Sequence, residues 1–187
     1  SGNEYATYSG TSMATPAVAG ISALMLEAWH QNISSGTDPL PETVKAILCN
    51  SAEDLGTEGP DYKYGWGRVD AQRAVDTILN WGHMESAIED DGLHEENFNV
   101  AVGVTELVVT LSWSDAPGGY LPATALVNDL DLVLTDPTGY DYFPFVMDPI
   151  NPAFPATEGV NTLDNVEQIR VPNPVVGEWT LTVQGTE

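Results

Sequence analysis

The hydrophobic period of this chain changes once, near residue 83, and that change constrains the fold more than any other feature. Upstream, Ala14, Val18, Ile21, Met25 and Trp29 recur at three- and four-residue intervals, the spacing of one buried helical face. That helix should end near Asn32, before Ser34-Ser35-Gly36. Pro39-Leu40-Pro41 leads into a second helix, with Pro41 in its first turn, Glu42 near its positive end and its last residue around Ser51. Residues 53–65 are polar and rich in Gly, Asp and Tyr, so they read as a surface loop. Asp70 is placed to cap a third helix, Ala71 to about Leu79.

From Ala87 onward the chain alternates in steps of two. Phe98, Val100 and Val102 share a face, as do Leu107, Val109, Leu111 and Trp113. Leu130, Leu132 and Leu134 repeat the pattern, then Trp179, Leu181 and Val183, with a weaker run at Val166, Ile169 and Val171. Gly and Pro clusters separate the runs, notably Ala116-Pro117-Gly118-Gly119 and Asp136-Pro137-Thr138-Gly139. Short alternating strands with such punctuation predict an antiparallel β-sandwich or jelly roll over 83–187, behind a mostly helical 1–82.

One stretch carries chemistry. In Ser9-Gly10-Thr11-Ser12-Met13-Ala14-Thr15-Pro16 a small-residue turn presents a serine and an Ala-rich helix begins at once. Backbone N–H groups in a first helical turn have no intrahelical partner and can hold the negative oxygen of a tetrahedral intermediate. Pro16 has no N–H, so the carbonyl of Ser12 loses its usual donor. A capping serine on a core helix is the plainer reading of such a turn.

The longer string Gly10 to Pro16, continued by Ala17-Val18-Ala19-Gly20, resembles the active-site serine segment of subtilisin-like serine proteases. Gly2-Asn3-Glu4-Tyr5 resembles the approach to that serine, and Tyr64-Gly65-Trp66-Gly67-Arg68-Val69-Asp70-Ala71 the segment opening the last helix of their catalytic domain. Ala17 stands where many subtilisins carry histidine. The resemblance implies that 1–82 ends an α/β catalytic domain, that Ser12 is the nucleophile, and that the substrates are proteins or peptides. In these proteases the triad aspartate and histidine and the oxyanion asparagine precede the serine, and no such segment is present here. The chain therefore reads as a C-terminal fragment whose partner is the missing N-terminal part of its catalytic domain, inactive alone.

A local histidine is a poor substitute. His30 lies about 27 Å along the helix from Ser12, and His83 and His94 fall beyond the helical part, so all three read as surface or interface residues. Around the second half, Trp113-Ser114-Asp115-Ala116-Pro117, Val127-Asn128-Asp129-Leu130-Asp131-Leu132 and Gly177-Glu178-Trp179-Thr180-Leu181 resemble the C-terminal β-domain of one secreted subtilase group, related in architecture to that of kexin-like convertases. That domain continues past the position of Glu187 into another strand, which predicts an unpaired edge.

Charge narrows the partners. The chain carries a formal net charge of −23, and 83–187 hold eighteen acidic residues against Arg170 alone. Such a field repels nucleic acid and anionic membranes and attracts cations and basic peptides, although solubility alone accounts for it. No apolar run has the length of a membrane span. Cys49, the single cysteine, sits in an apolar helical run and reads as a buried inert thiol. Secretion follows from the resemblance, not from cysteine usage.

Calcium sites occur in this protease group. Asp129 and Asp131 share one face of a strand while Leu130 and Leu132 take the other, and a Ca²⁺ there needs further oxygens from Asp115, Asn128, Asp148, Asp164 or Asn165. A structural calcium and a solvated acidic strand both satisfy the sequence, and the chemistry itself requires no cofactor. The run Glu89-Asp90-Asp91 with Glu95-Glu96 reads as a solvated face. Beside the endopeptidase stands a second reading, a pseudo-protease whose β-domain binds glycans or protein.

Overall fold

A computed structural model describes residues 7–119 and 126–186. Three helices, α1 (Thr11–Asn32), α2 (Pro41–Ser51) and α3 (Ala71–Leu79), precede eight strands. The strands are β1 (Leu93–Val100), β2 (Glu106–Ser112), β3 (Asp129–Thr135), β4 (Asp141–Tyr142), β5 (Phe145–Val146), β6 (Thr157–Glu158), β7 (Val166–Pro172) and β8 (Gly177–Thr186). One antiparallel sheet has the order β1-β8-β3-β4, while β2 pairs with β7 and β5 with β6. The last long strand, β8, is paired on both sides; among the described residues the open edges of this sheet belong to β1 and β4.

The helices follow their local signals. The Asp70 carboxylate accepts the Arg73 amide at 3.0 Å and caps α3. Pro41 sits in the first turn of α2. Leu40, the N-cap of α2, has no side chain that can cap it. The Glu85 carboxylate supplies the cap from outside: Oε1 accepts the Leu40 amide at 2.9 Å and the Thr43 hydroxyl at 2.5 Å. Met25, Ala28 and Trp29 of α1, Ile47 of α2 and Ala74 and Ile78 of α3 form one apolar cluster. The buried face of α1 is shorter than the periodicity predicts. Met25 and Trp29 are buried and Val18 and Ile21 half-buried, but Ala14 is exposed because none of the described elements packs over the first two turns.

The loop 53–68 is ordered by a backbone bridge. Glu53 and Arg68 exchange two N–H···O bonds of 2.8 Å, and their side chains form an ion pair. Asp61 accepts the amides of Lys63 and Tyr64, so its own turn feeds the bridge.

In the β part the inward face carries the core: Val100, Leu132, Leu134, Ile169, Val171, Trp179 and Val183. The fully buried Trp179 donates its indole N–H to the Val175 carbonyl at 2.7 Å. Two alternations predicted from the sequence end differently. β1 stops at Val100, and Val102 lies beyond it, 86% exposed, in the turn that Gly103 makes at φ +93°. Val166 does not share a face with Ile169 and Val171, since it lies three positions before Ile169 in a two-residue repeat.

The reason is that β7 is covered on both sides. Glu167, Ile169 and Val171 face the larger sheet. Gln168 faces α2, donating to the Cys49 carbonyl at 3.3 Å and to the Thr110 hydroxyl at 3.0 Å. Asn50 of α2 donates to the Val108 carbonyl and to the Thr110 hydroxyl. The result is three layers: α2, then β2-β7, then β1-β8-β3-β4. Cys49 is half-buried at this seam, where burial pushes its thiol up to about 11.

Gly67 marks how tightly the loop closes. Its φ is +102°, and a Cβ there would lie 2.1 Å from the Glu53 carbonyl oxygen. Gly67→Ala is therefore expected to lower stability by about 2 kcal/mol or more in urea unfolding, through backbone strain plus a broken bridge.

Candidate active site

Gly10 carries the turn into α1 at φ 145°, ψ 172°, and no side chain caps the helix. Its carbonyl accepts the Met13 amide at 3.0 Å and the Ala14 amide at 3.2 Å. Thr11 and Ser12 are the first two helical residues, so their N–H groups belong to the unpaired first turn, where the helix dipole is positive. Ser12 is exposed, and among the described residues its hydroxyl has no hydrogen-bond partner. A capping serine would spend its oxygen on a backbone amide; this one does not. Pro16 lies inside the helix without ending it, leaving the Ser12 carbonyl without a backbone donor four residues on. Thr15 turns its hydroxyl back to the Thr11 carbonyl at 2.8 Å. The arrangement offers an unpaired hydroxyl beside unpaired amide donors, open to solvent.

No described histidine reaches it. His30 sits in the last turn of α1 and pairs through Nε2 with Asp38 at 2.7 Å. His83 packs between two indoles, 4.9 Å from Trp29 and 6.3 Å from Trp81 by ring centroid. His94 lies on β1.

The acidic candidates divide into two groups. Asp115 belongs to a backbone clamp. Its carboxylate accepts the amides of Ala116, Val127 and Asn128 and the side-chain amide of Asn128, all within 2.9 Å. These N–H groups, that of Val127 foremost, hold its carboxyl below the usual range. The indole of Trp113 donates to the Asn128 carbonyl at 3.0 Å, so the two motifs around Trp113 and Asn128 close one loop together. Asp148 is taken up in the same way, by the amides of Ile150 and Asn151 and the Asn151 side chain.

Asp129 and Asp131 lie on β3 as the alternation predicts. Each has a buried Oδ1 without a hydrogen bond, and Asp131 Oδ2 accepts the Thr186 hydroxyl at 3.3 Å. Burial first, and the neighbouring Asp131 second, raise the Asp129 carboxyl. Asn165 is spent on the Trp113 carbonyl and on Lys45. Among the described residues no group of three or more His, Cys, Asp or Glu side chains is set to hold a metal ion.

Glu167 is the acidic residue that sequence reasoning missed. It is fully buried, and its Oε2 accepts the Leu132 amide at 2.7 Å. That amide needs it, because β4 pairs only with Leu134 and Thr135 and stops short of Leu132. Its other oxygen, Oε1, has no partner. The available signal was a charged residue within a run buried on both faces, Val166 to Ile169.

Residues 1–67 match the subtilase family. The chain is 45% identical over 74 residues to the serine protease AprX of Bacillus subtilis, a match covering 40% of this chain and 15% of that protein. It is 46% identical over 74 residues to halolysin of Haloferax mediterranei, covering 40% of this chain and 12% of halolysin. An extracellular serine protease of Serratia marcescens matches at 34% over 71 residues, covering 38% of this chain and 6% of that protein. The chain thus spans well under a fifth of these relatives, and the matches fall on its helical part.

Glu167 generates a prediction. Burial, and then Asp131, Asp129 and Asp164, push its carboxyl from 4.5 to about 8. The folded chain keeps a proton that the unfolded chain releases, so this contribution is complete below 4.5 and lost as pH rises through 8. The melting temperature should fall from about pH 5 to about pH 9, and Glu167→Gln should flatten that fall. Parallel profiles for the two proteins would contradict it.

Proposed function

We propose that this chain, whose first 67 residues are of the subtilase family, serves peptide-bond hydrolysis by a serine endopeptidase with Ser12 as nucleophile. The observation that carries the reading is the state of Ser12: exposed, unpaired and in the first turn of α1, within the matched segment. Ser12 Oγ would attack the substrate carbonyl as a base takes its proton, and the Ser12 amide would face the developing oxyanion. The acyl-enzyme would then be released by water.

Base and orienting carboxylate come, in this proposal, from polypeptide outside these 187 residues, together with a side-chain oxyanion donor. Two features support that. The His30–Asp38 pair has triad chemistry but stands at the opposite end of a 22-residue helix. The first two turns of α1 expose Met13, Ala14, Ala17 and Ala19, a small apolar surface suited to close packing against more protein. Secretion fits the extracellular relative and the finding that no described helix is long and apolar enough to cross a membrane. The β part, 83–187, would act as a jelly-roll-like domain that braces the catalytic unit. Calcium enters only as a structural ion beside the unpaired oxygens of Asp129 and Asp131, and no step of hydrolysis passes through it.

The test uses a longer polypeptide carrying the upstream sequence. A fluorophosphonate probe should label it at Ser12, and Ser12→Ala should remove both labelling and casein cleavage, the latter by at least about 10⁴-fold. The 187-residue chain alone should cleave nothing. Failure of the folded longer protein to label would mean that Ser12 lacks a working base, and the binding-module reading would replace the protease.

A further inference from the structure

A cavity of about 850 Å³ opens between α2, the connection 81–88 and the strands β1 and β2, with lining from both sheets. Its floor is apolar, with Phe98, Leu107, Val109, Leu132 and Leu181 contributed by both sheets. Its mouth carries Glu42, Glu85 and Glu96, and among the described lining residues there is no lysine or arginine. Ser114 lies against the Glu42 carboxyl and, with the backbone amide of Glu42 itself, holds it below the usual range, so the mouth keeps that charge. Two ring nitrogens of lining residues, His83 Nδ1 and His94 Nε2, are buried and make no hydrogen bond among the described residues. Buried polar atoms are rarely left unmatched without a reason.

We propose that this cavity is a docking site for a peptide segment that places an apolar side chain on the floor and a lysine or arginine at the mouth. Each part of such a segment finds its counterpart. The aliphatic or aromatic group covers the floor, whose volume is in the range of ligand sites. The cation meets Glu42 and Glu96. The charge of the whole chain, −23, favours such a partner from a distance, but the cavity adds a position. The proposal stands whether or not Ser12 is a nucleophile.

β1 provides the discriminating comparison. Its alternation turns His94, Glu96 and Phe98 to the cavity and leaves Glu95 off it, so adjacent residues of equal charge differ only in the face they occupy. The experiment is fluorescence anisotropy of a labelled Lys/Leu-alternating hexapeptide on the 187-residue chain at physiological salt. Lys/Ser and Glu/Leu peptides serve as controls, and thermal melts confirm that each variant is folded. Saturable binding of the Lys/Leu peptide is expected, weakened about fivefold or more by Glu96→Gln and changed less than about twofold by Glu95→Gln. The two control peptides should bind weakly. Equal losses for both variants, or equal binding of the Lys/Ser peptide, would show attraction to the overall charge alone and overturn the proposal, as would no binding of the Lys/Leu peptide.

Discussion

β7 is buried on both faces, under α2 on one side and against the larger sheet on the other, and its polar groups have to be matched there one by one. Gln168 and Asn50 do this on the helix side, converging on the Thr110 hydroxyl. Glu167 does it on the sheet side, taking the Leu132 amide, which a short β4 does not reach. A buried hydrogen bond adds little net stability, whereas a buried group left without one costs more. The network therefore acts mainly as a register device: a slip of β7 by one residue would turn Glu167 toward the helix and leave the Leu132 amide without its acceptor.

The cavity lies beside that seam. It is lined along the length of β2, by residues that face α2 and by residues that face the larger sheet, together with the connection 81–88. Trp81 and Met84 in this connection stay substantially exposed, and His83 is held between the Trp29 and Trp81 rings rather than by hydrogen bonds. An apolar floor with an acidic mouth is the outcome of filling a gap with a chain that has very few cations to spend.

Much of the fold is legible in the sequence because it is local. Helix limits follow from Pro41, Asp70 and the small-residue turn before Thr11; strand cores follow from alternation at Leu107–Leu111, Leu130–Leu134 and Trp179–Val183. What was not legible is non-local. Ala14 follows a helical repeat, yet burial depends on what packs over it. Val166 and Ile169 looked like one run because a strand covered on both faces has no polar side to set the phase. Ser12 stands out in the sequence through the longer string that resembles a family segment, since the small-residue turn by itself reads equally as a helix cap. The buried state of Glu167 was not, because it depends on where another strand stops.

The capping of α2 by Glu85 has a consequence for the order in which the chain assembles. The first turn of α2 has no partner of its own for the Leu40 amide, and the residue that supplies one lies 45 positions later. A helix of 11 residues is too short to persist in water by propensity alone. Its start can therefore lock only once α3 has formed and the following connection has swung back across it. The start of α2 then matures together with α3 and the connection that follows it. In a chain still being synthesised, α2 would remain frayed until residue 85 was clear of the machinery that makes it.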